Sequence, residues 1–283
     1  FADIKTALKE YMRAQTDFTD YDFEGSAISQ ILDVLAYNTY YTAFNTNMVV
    51  NELFLDSATL RDNVVSLAKQ LGYTPKSVTS PKASVSMALT FSGSAPAEVS
   101  LKAGSGFVTN YDGVLYRYVL IDNKKVSVVN NVATFTDVPI YEGSLVTTNT
   151  AVNTNLKSQR FIIDNAGVDI NTLQIRVFQA ANSSIFSDYT QANNILDIGA
   201  NDEVYFVSEI EDEKYEVFFG DGVLGKKLEN NNVVSISYIV TNGTKTNGAK
   251  TFTFNGLMED ENGTTVTLPF SISSISTTSV ASG

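Results

Sequence analysis

Cysteine and histidine are both absent from this chain of 283 residues. Without cysteine there is no disulfide framework, no thiolate metal site and no thiol nucleophile, which fits folding in a reducing compartment. Without histidine, Ser-His-Asp catalysis, imidazole acid–base chemistry and almost every zinc site drop out. Basic charge is scarce as well: 19 Lys and Arg stand against 31 Asp and Glu, for a net charge of −12. The cations are scattered, with Lys124–Lys125 and Lys226–Lys227 only pairs. Binding a phosphate backbone needs clustered cations, so nucleic acid is not expected as a direct partner. No apolar run approaches the roughly 20 residues that a membrane-spanning helix needs. The opening FADIKTALKEY lacks the basic and then apolar pattern of a signal peptide. Starting at Phe1, the sequence reads as a segment or a processed chain.

What is present is an ordinary globular composition, 43% hydrophobic and 18% charged. The length suits one large or two moderate domains with a substantial core. Ser, Thr and Asn are abundant, as in β-rich proteins with many turns. The hydrophobic period divides the chain near Ser77. Before it the spacing is helical, and three helices are predicted, over Asp3–Ala14, Ser26–Leu53 and Thr59–Leu71. Ile4, Ala7, Leu8 and Tyr11 form the first helix's apolar face. Ser26 is the expected cap of the second helix and Asp56 or Ser57 that of the third, which Gly72 and Pro75 end. Leu60, Val64, Leu67, Ala68 and Leu71 form its stripe.

After Lys76 the period becomes two: Val85, Met87, Leu89 and Phe91 share one face of Ala83–Phe91. Further strands are expected at Val99–Leu101, Gly106–Thr109, Tyr116–Leu120, Lys125–Asn130, Val132–Thr136, Pro139–Val146, Gln159–Ile163, Leu173–Phe178, Glu203–Ser208, Lys214–Phe219 and Val233–Val240. Asn130-Asn131 reads as a two-residue hairpin turn. The resulting fold class is α+β. A helical oligomerisation segment (1–76) is followed by a predominantly antiparallel β region (77–270). The Ser- and Thr-rich tail 271–283 reads as a flexible linker or an artificial chain end.

The second helix carries more apolar surface than one contact can cover. At 100° per residue, Ile28, Ile31, Leu32 and Leu35 lie on one face, which continues through Thr39, Thr42 and Thr46 to Val49, Val50 and Leu53. Tyr37, Tyr40, Tyr41, Phe44 and Met48 gather on the opposite side. Two opposed stripes require neighbours on both sides: either the helix is central to its own domain, or it packs against other subunits. The third helix has one aliphatic face and most naturally covers Ile28, Ile31, Leu32 and Leu35. The aromatic stripe is then the expected partner interface, where tyrosine is a favoured residue. Arg61 could add a planar ion pair, between subunits or within the chain.

Chemistry-bearing motifs are few. Gly220-Asp221-Gly222 could hold a cation, but no acidic cluster follows at calcium-loop spacing, and a structural turn explains both glycines. Glu209–Glu213 (EIEDE) reads as a solvated turn between strands rather than a metal site. Glu24, Asp33 and Glu52 share no face, so no acid–base pair stands out. GSGF at Gly104 lacks the context of a nucleotide loop. No catalytic residue, cofactor, metal or small-molecule substrate is expected, and the chain does not read as an enzyme.

The blocks DYDFEGS, LAYNTYY and ELFLDSATLRDNVVSLAKQLGYTPKS, with YEVFFGDGVLGKKL and ISYIVTNGTKTNGAKTF later in the same order, resemble the large baseplate wedge proteins of contractile-tailed bacteriophages. These fall within the wider baseplate J-like family. The resemblance is strong over Asp20–Pro75 and Tyr215–Phe254 and weaker between. It implies a structural virion component, made in the host cytoplasm and resident in the tail baseplate. Its implied partners are a second copy of itself and other wedge proteins that bundle with its N-terminal helices. Such proteins help close wedges into a ring around the hub and pass on the switch that triggers sheath contraction. They usually continue into further domains, whose contacts cannot be placed on this chain. A β-rich surface module binding glycan or receptor is the alternative; the Ser/Thr/Asn-rich composition suits it, and the doubly apolar helix does not.

Overall fold

Where the period changes from 3.6 to 2, the chain divides into two units, Phe1–Thr74 and Pro75–Gly283. The computed structural model describes residues 1–15, 21–73, 76–156, 159–192, 194–210, 213–266 and 270–277. Asp20 and Pro75, which figure in the sequence reading, lie outside the described residues.

Among its described residues the first unit holds three helices: α1 (Ala2–Arg13), α2 (Ala27–Asn51) and α3 (Arg61–Gln70). Ser26 caps α2 as its sequence suggests, its hydroxyl accepting from the Ser29 N–H at 3.1 Å. The cap of α3 differs from expectation. Its N-terminal residue is Leu60, which offers no side-chain acceptor, and the Ser57 hydroxyl is turned back to Asn51 O at 2.7 Å. Glu52, just past α2, supplies the acceptor instead. Its carboxylate takes the Thr59 N–H at 3.0 Å, the Thr59 hydroxyl at 2.7 Å, the Leu60 N–H at 3.2 Å and the Asn63 amide at 2.9 Å. The Asn63 amide, then the two Thr59 donors, hold the Glu52 carboxyl at about 2, far below its ordinary value. A carboxylate at a helix N-terminus satisfies orphan donors and meets the positive end of the dipole.

Among the described residues, the second unit holds sixteen strands. A six-stranded antiparallel sheet runs in the order β14 (Thr253–Phe254), β3 (Gly106–Tyr111), β4 (Val114–Val119), β6 (Val132–Glu142), β1 (Lys82–Phe91) and β16 (Phe270–Thr277). In β1, Ala83, Val85, Met87, Leu89 and Phe91 all point into the core, the alternation its sequence shows. Phe107, Tyr118, Phe135 and Ile140 fill the same core. A three-stranded sheet, β15 (Met258–Glu259), β2 (Glu98–Leu101) and β5 (Lys124–Ser127), contributes Val99, Leu101 and Met258 to it. The remaining seven strands run β7 (Ser144–Ala151), β13 (Val233–Val240), β9 (Val168–Phe178), β10 (Phe186–Gln191), β11 (Val204–Glu209), β12 (Tyr215–Phe219) and β8 (Phe161–Ile163). Among the described strands, β10 and β11 pair in parallel and the other pairs are antiparallel. This sheet has its own core around Val168, Ile175, Tyr215, Val217 and Val234. The architecture is α+β, with antiparallel pairing dominant.

Asn130 and Asn131 both have positive φ, 52° and 62°, between the mutually bonded Val129 and Val132, so the predicted two-residue turn is present. β6 is a single strand through Pro139, where the sequence suggested a break. Glu142 N donates to Pro81 O, so Pro139, three residues earlier, turns its missing N–H away from β1. β4 pairs only with Tyr141 and Glu142, so no ladder bond is lost there. The tail read as a linker is strand as far as Thr277, paired along β1 through Phe91↔Phe270 to Val85↔Thr277.

Two buried carboxylates tie the sheets together. Glu142, 1% exposed at the end of β6, accepts from the Thr241 hydroxyl at 2.5 Å, the Asn242 N–H at 3.0 Å and the Asn242 amide at 2.8 Å. Asp169 in β9 accepts from Ser80 N, just before β1, at 2.7 Å. Between β6 and β7, Gly143 has φ 122° and its α-carbon faces Val240 so closely that a Cβ would lie 2.2 Å from the carbonyl oxygen. No side chain fits at that crossing.

Candidate protein interface

Helix α2 buries a narrow stripe and leaves the rest open. Ser29, Leu32 and Ala36, spaced three and four residues apart, are its only buried residues. It is α1 that packs along this stripe, and not α3 as the sequence suggested. Lys5 reaches Asp33 of α2 at 2.6 Å and Lys9 reaches Asp22, ahead of α2, at 3.4 Å, with most of both lysine side chains covered. The inward face of α1 is therefore Ile4, Lys5, Leu8, Lys9 and Met12, while Ala7 and Tyr11 are exposed. α3 buries Val65 and Ala68, and Leu60 and Leu71 of its expected stripe are exposed. Consequently Ile31, expected in the interior, is 65% exposed, and Leu35 is exposed too.

From Tyr37 to Asn51 every residue of α2 is exposed. The helix carries on for four turns beyond α1's cover, apolar on two faces. The predicted interface residues lie here: Tyr37 is 55% exposed and Phe44 51%, with Tyr40, Tyr41 and Met48 similar. The aromatics are already assembled. Tyr37 and Tyr41 have ring centroids 4.5 Å apart, and Tyr40 meets Tyr41 edge-on at 5.8 Å. The neighbouring Tyr41 hydroxyl and partial desolvation push the Tyr37 phenol above its ordinary value. On the other face, the hydroxyls of Thr39, Thr42 and Thr46 each donate to the carbonyl four residues back at 2.8 Å. Their donors are spent within the helix, leaving a shallow groove of methyls and small side chains. Val49, Val50, Leu53, Phe54 and Leu55 extend the exposed surface around the end of α2. Arg61 lies at the first position of α3 and is exposed.

This much contiguous apolar surface is what an interface requires and a solvated helix avoids. An isolated helix of four turns is also marginal in water unless something packs on it.

The motifs that looked most site-like are structural in their geometry. Asp221 Oδ1 accepts from the N–H groups of Val223 at 2.8 Å and Leu224 at 3.0 Å, an Asx turn that lowers its carboxyl, the Leu224 donor first. Gly222 has φ 93°, while at Gly220 a Cβ would lie 2.1 Å from the Gly225 backbone. The tighter constraint thus falls on Gly220. Glu209, expected on a solvated turn, is 1% exposed at the end of β11 opposite Tyr215. Glu211 and Asp212 of the same run lie outside the described residues. Asp33 pairs with Lys5, and Glu52 caps α3. Among the described residues no three acidic side chains are grouped to hold a metal, and no helix is long and apolar enough to cross a membrane.

Residues 1–73 match the family model for the helical domain of gp6-like baseplate wedge proteins. Residues 148–251 match the third domain of bacteriophage baseplate wedge protein gp6. The chain is similar to baseplate wedge proteins. It is 28% identical over 272 residues to baseplate wedge protein gp6 of Enterobacteria phage T4, an alignment covering 90% of this chain and 40% of that protein. The chain therefore spans about two fifths of the length of that relative. The first match ends one residue before the unit boundary, so the exposed α2 lies within the matched segment. The second takes in most of the seven-stranded sheet, including Asp221 and its flanking glycines.

Proposed function

We propose that this chain is a structural component of a phage tail baseplate wedge, and that it works by packing α2 against other wedge subunits. The observation that carries the reading is the exposure of α2 from Tyr37 to Asn51, inside the segment that matches a baseplate wedge helical domain. Tyr37, Tyr40, Tyr41, Phe44 and Met48 form the partner face, the threonine stripe admits the backbone of a second helix, and Arg61 supplies a polar rim contact. The partners are a second copy of the chain and other wedge proteins, and the site of action is the virion baseplate after assembly in the host cytoplasm. The protein acts by adhesion and shape, not by turnover, as part of the wider baseplate J-like group. It holds the ring together and passes on the change that starts sheath contraction. A net charge of −12 sets it against direct contact with nucleic acid.

Native mass spectrometry of the chain mixed with the other wedge proteins of the same phage tests this. A defined complex is expected, with the amides of Tyr37–Asn51 gaining protection from hydrogen exchange on mixing. A chain that stays free of every wedge protein, its α2 amides unchanged, would overturn the reading.

A further inference from the structure

Strand β7 lies at one edge of the seven-stranded sheet and pairs with β13 along its whole length, from Ser144↔Val240 to Ala151↔Val233. Its outer side is open in a particular pattern. Val152 N donates to Asn232 O at 2.8 Å, so residues of even number in this stretch turn their backbone groups toward β13. In an antiparallel pair the alternate residues then point theirs outward. Three contacts agree. Gly143 N donates outward to Arg117 O of β4 at 2.9 Å, Gln159 Nε2 donates to the Ala151 carbonyl at 2.6 Å, and Gln159 Oε1 accepts from the Asn153 N–H at 2.8 Å. A β4 carbonyl blocks one end of the outer edge, and a side-chain amide standing in for a strand blocks the other. Between them the N–H and C=O groups of Leu145, Thr147 and Asn149 have no partner among the described residues.

Natural edge strands of this length carry a lysine, a proline or a bulge that deters pairing. β7 has none: no charged residue and no proline occurs between Glu142 and Lys157, and the pairing with β13 runs without a register shift. The opposite edge of the same sheet, β8, is only three residues long. Where β4 splays from β7 beyond Gly143, a cleft lined by Val114, Leu115, Tyr116, Ser144 and Lys245 leaves room for another strand to enter.

We propose that β7 is a strand-pairing edge for β7 of a second copy of this chain. A two-fold axis through Thr147 sets Leu145 against Asn149 of the second copy and Thr147 against its equivalent. The six open groups on each edge then match one another, and the blocked Gly143 falls opposite the blocked Ala151. The strand is uncharged, so two chains that are both strongly acidic meet there without local repulsion. The sheet would continue across the axis, with an antiparallel β7–β7 pair joining the two chains.

The chain lacks cysteine, which makes the geometry directly testable. Facing residues of a hydrogen-bonded antiparallel pair lie about 5.5 Å apart at Cα, within the roughly 4.4–6.8 Å span of a disulfide. Thr147→Cys in the full chain, oxidised with glutathione disulfide, should give a covalent dimer about tenfold faster than Ser183→Cys in the partly exposed turn before β10, since pairing raises the local thiol concentration. The amides of Leu145, Thr147 and Asn149 should gain protection as the wild-type concentration rises. Thr147→Pro removes an N–H that β13 does not use, so it should abolish that gain and leave the monomer folded. Cross-linking no faster than at 183 would overturn the proposal. So would protection that appears only on adding a different wedge protein.

Discussion

Glu142→Ala is the substitution through which the joint between the two sheets can be measured. The Glu142 carboxylate is buried and takes three donors, the Thr241 hydroxyl, the Asn242 N–H and the Asn242 amide. Asn242 is itself exposed, so its amide finds water and loses little. The Thr241 hydroxyl is buried and the Asn242 N–H is partly so. Leaving such donors unpaired costs about 1–3 kcal/mol each, so two of them give roughly 3 kcal/mol once partial hydration of the Asn242 N–H is allowed for. For a unit of this size about 1 kcal/mol moves the melting temperature by roughly 2–4 °C. Differential scanning calorimetry at neutral pH should therefore show the β unit of Glu142→Ala melting about 6–12 °C lower. Glu142→Gln keeps one acceptor and should fall between. If Glu142→Ala melts within a degree of wild type, the carboxylate is not what joins β6 to the Thr241 turn, and the two cores are held by packing alone.

Three further outcomes follow from the same geometry. Leu32 is 6% exposed and Ile31 65%; Leu32→Ala should lower helical-unit stability by about 2–5 kcal/mol and Ile31→Ala by under about 0.5 kcal/mol, read by urea denaturation of dilute protein at 222 nm. The Glu52 carboxyl titrates at about 2 in the folded chain against an ordinary 4.5, so its cap stabilises α3 above pH 4.5 and that contribution is lost as pH falls toward 2. Helicity should show this acid transition and Glu52→Gln should lack it; identical acid profiles would refute the cap. Gly222→Val should cost about 1–3 kcal/mol for a strained backbone, and Gly220→Ala should cost more because the Gly225 backbone fills the space; the reverse order in thermal melts would contradict the geometry.

The three helices and most strands were legible because their periods are clear: β1 alternates without exception, and α2 keeps apolar residues at helical spacing throughout. The two-residue turn at Asn130-Asn131 was legible for the same local reason. Four strands escaped entirely, and so did most of β7, because the expected strand Pro139–Val146 runs across Gly143, where the chain turns from β6 into β7. β10 carries Ser, Asp, Thr and Gln and buries only Tyr189, while β14 and β15 are two residues long, so none shows a period. β16 is mostly Ser and Thr, a linker composition, and only the β1 edge makes it a strand. Helix pairing was misread because α1's inward face includes Lys5 and Lys9, whose charge hides their apolar stems, whereas α3 advertises aliphatics. The cap by Glu52 comes from a residue seven positions before Thr59, outside the local window in which caps are sought. The aromatic cluster on α2 was visible in the spacing of Tyr37, Tyr41, Phe44 and Met48. The bareness of the helix from Tyr37 onward was not visible, because it depends on where α1 stops.

The central claim is that α2 presents its aromatic face to another subunit. The most direct test compares the double variant Tyr41→Ala, Phe44→Ala with wild type in two measurements on the same preparations: melting of the isolated chain, and dissociation from the other wedge proteins by native mass spectrometry or sedimentation. Both rings are about half exposed in the chain alone, so truncation removes little internal packing, whereas interface aromatics contribute about 2 kcal/mol or more each. The account predicts a melting temperature unchanged within about 2 °C and a complex weakened by at least about a hundredfold. A variant that melts far lower yet assembles with undiminished affinity would contradict it, placing Tyr41 and Phe44 in the interior of their own unit.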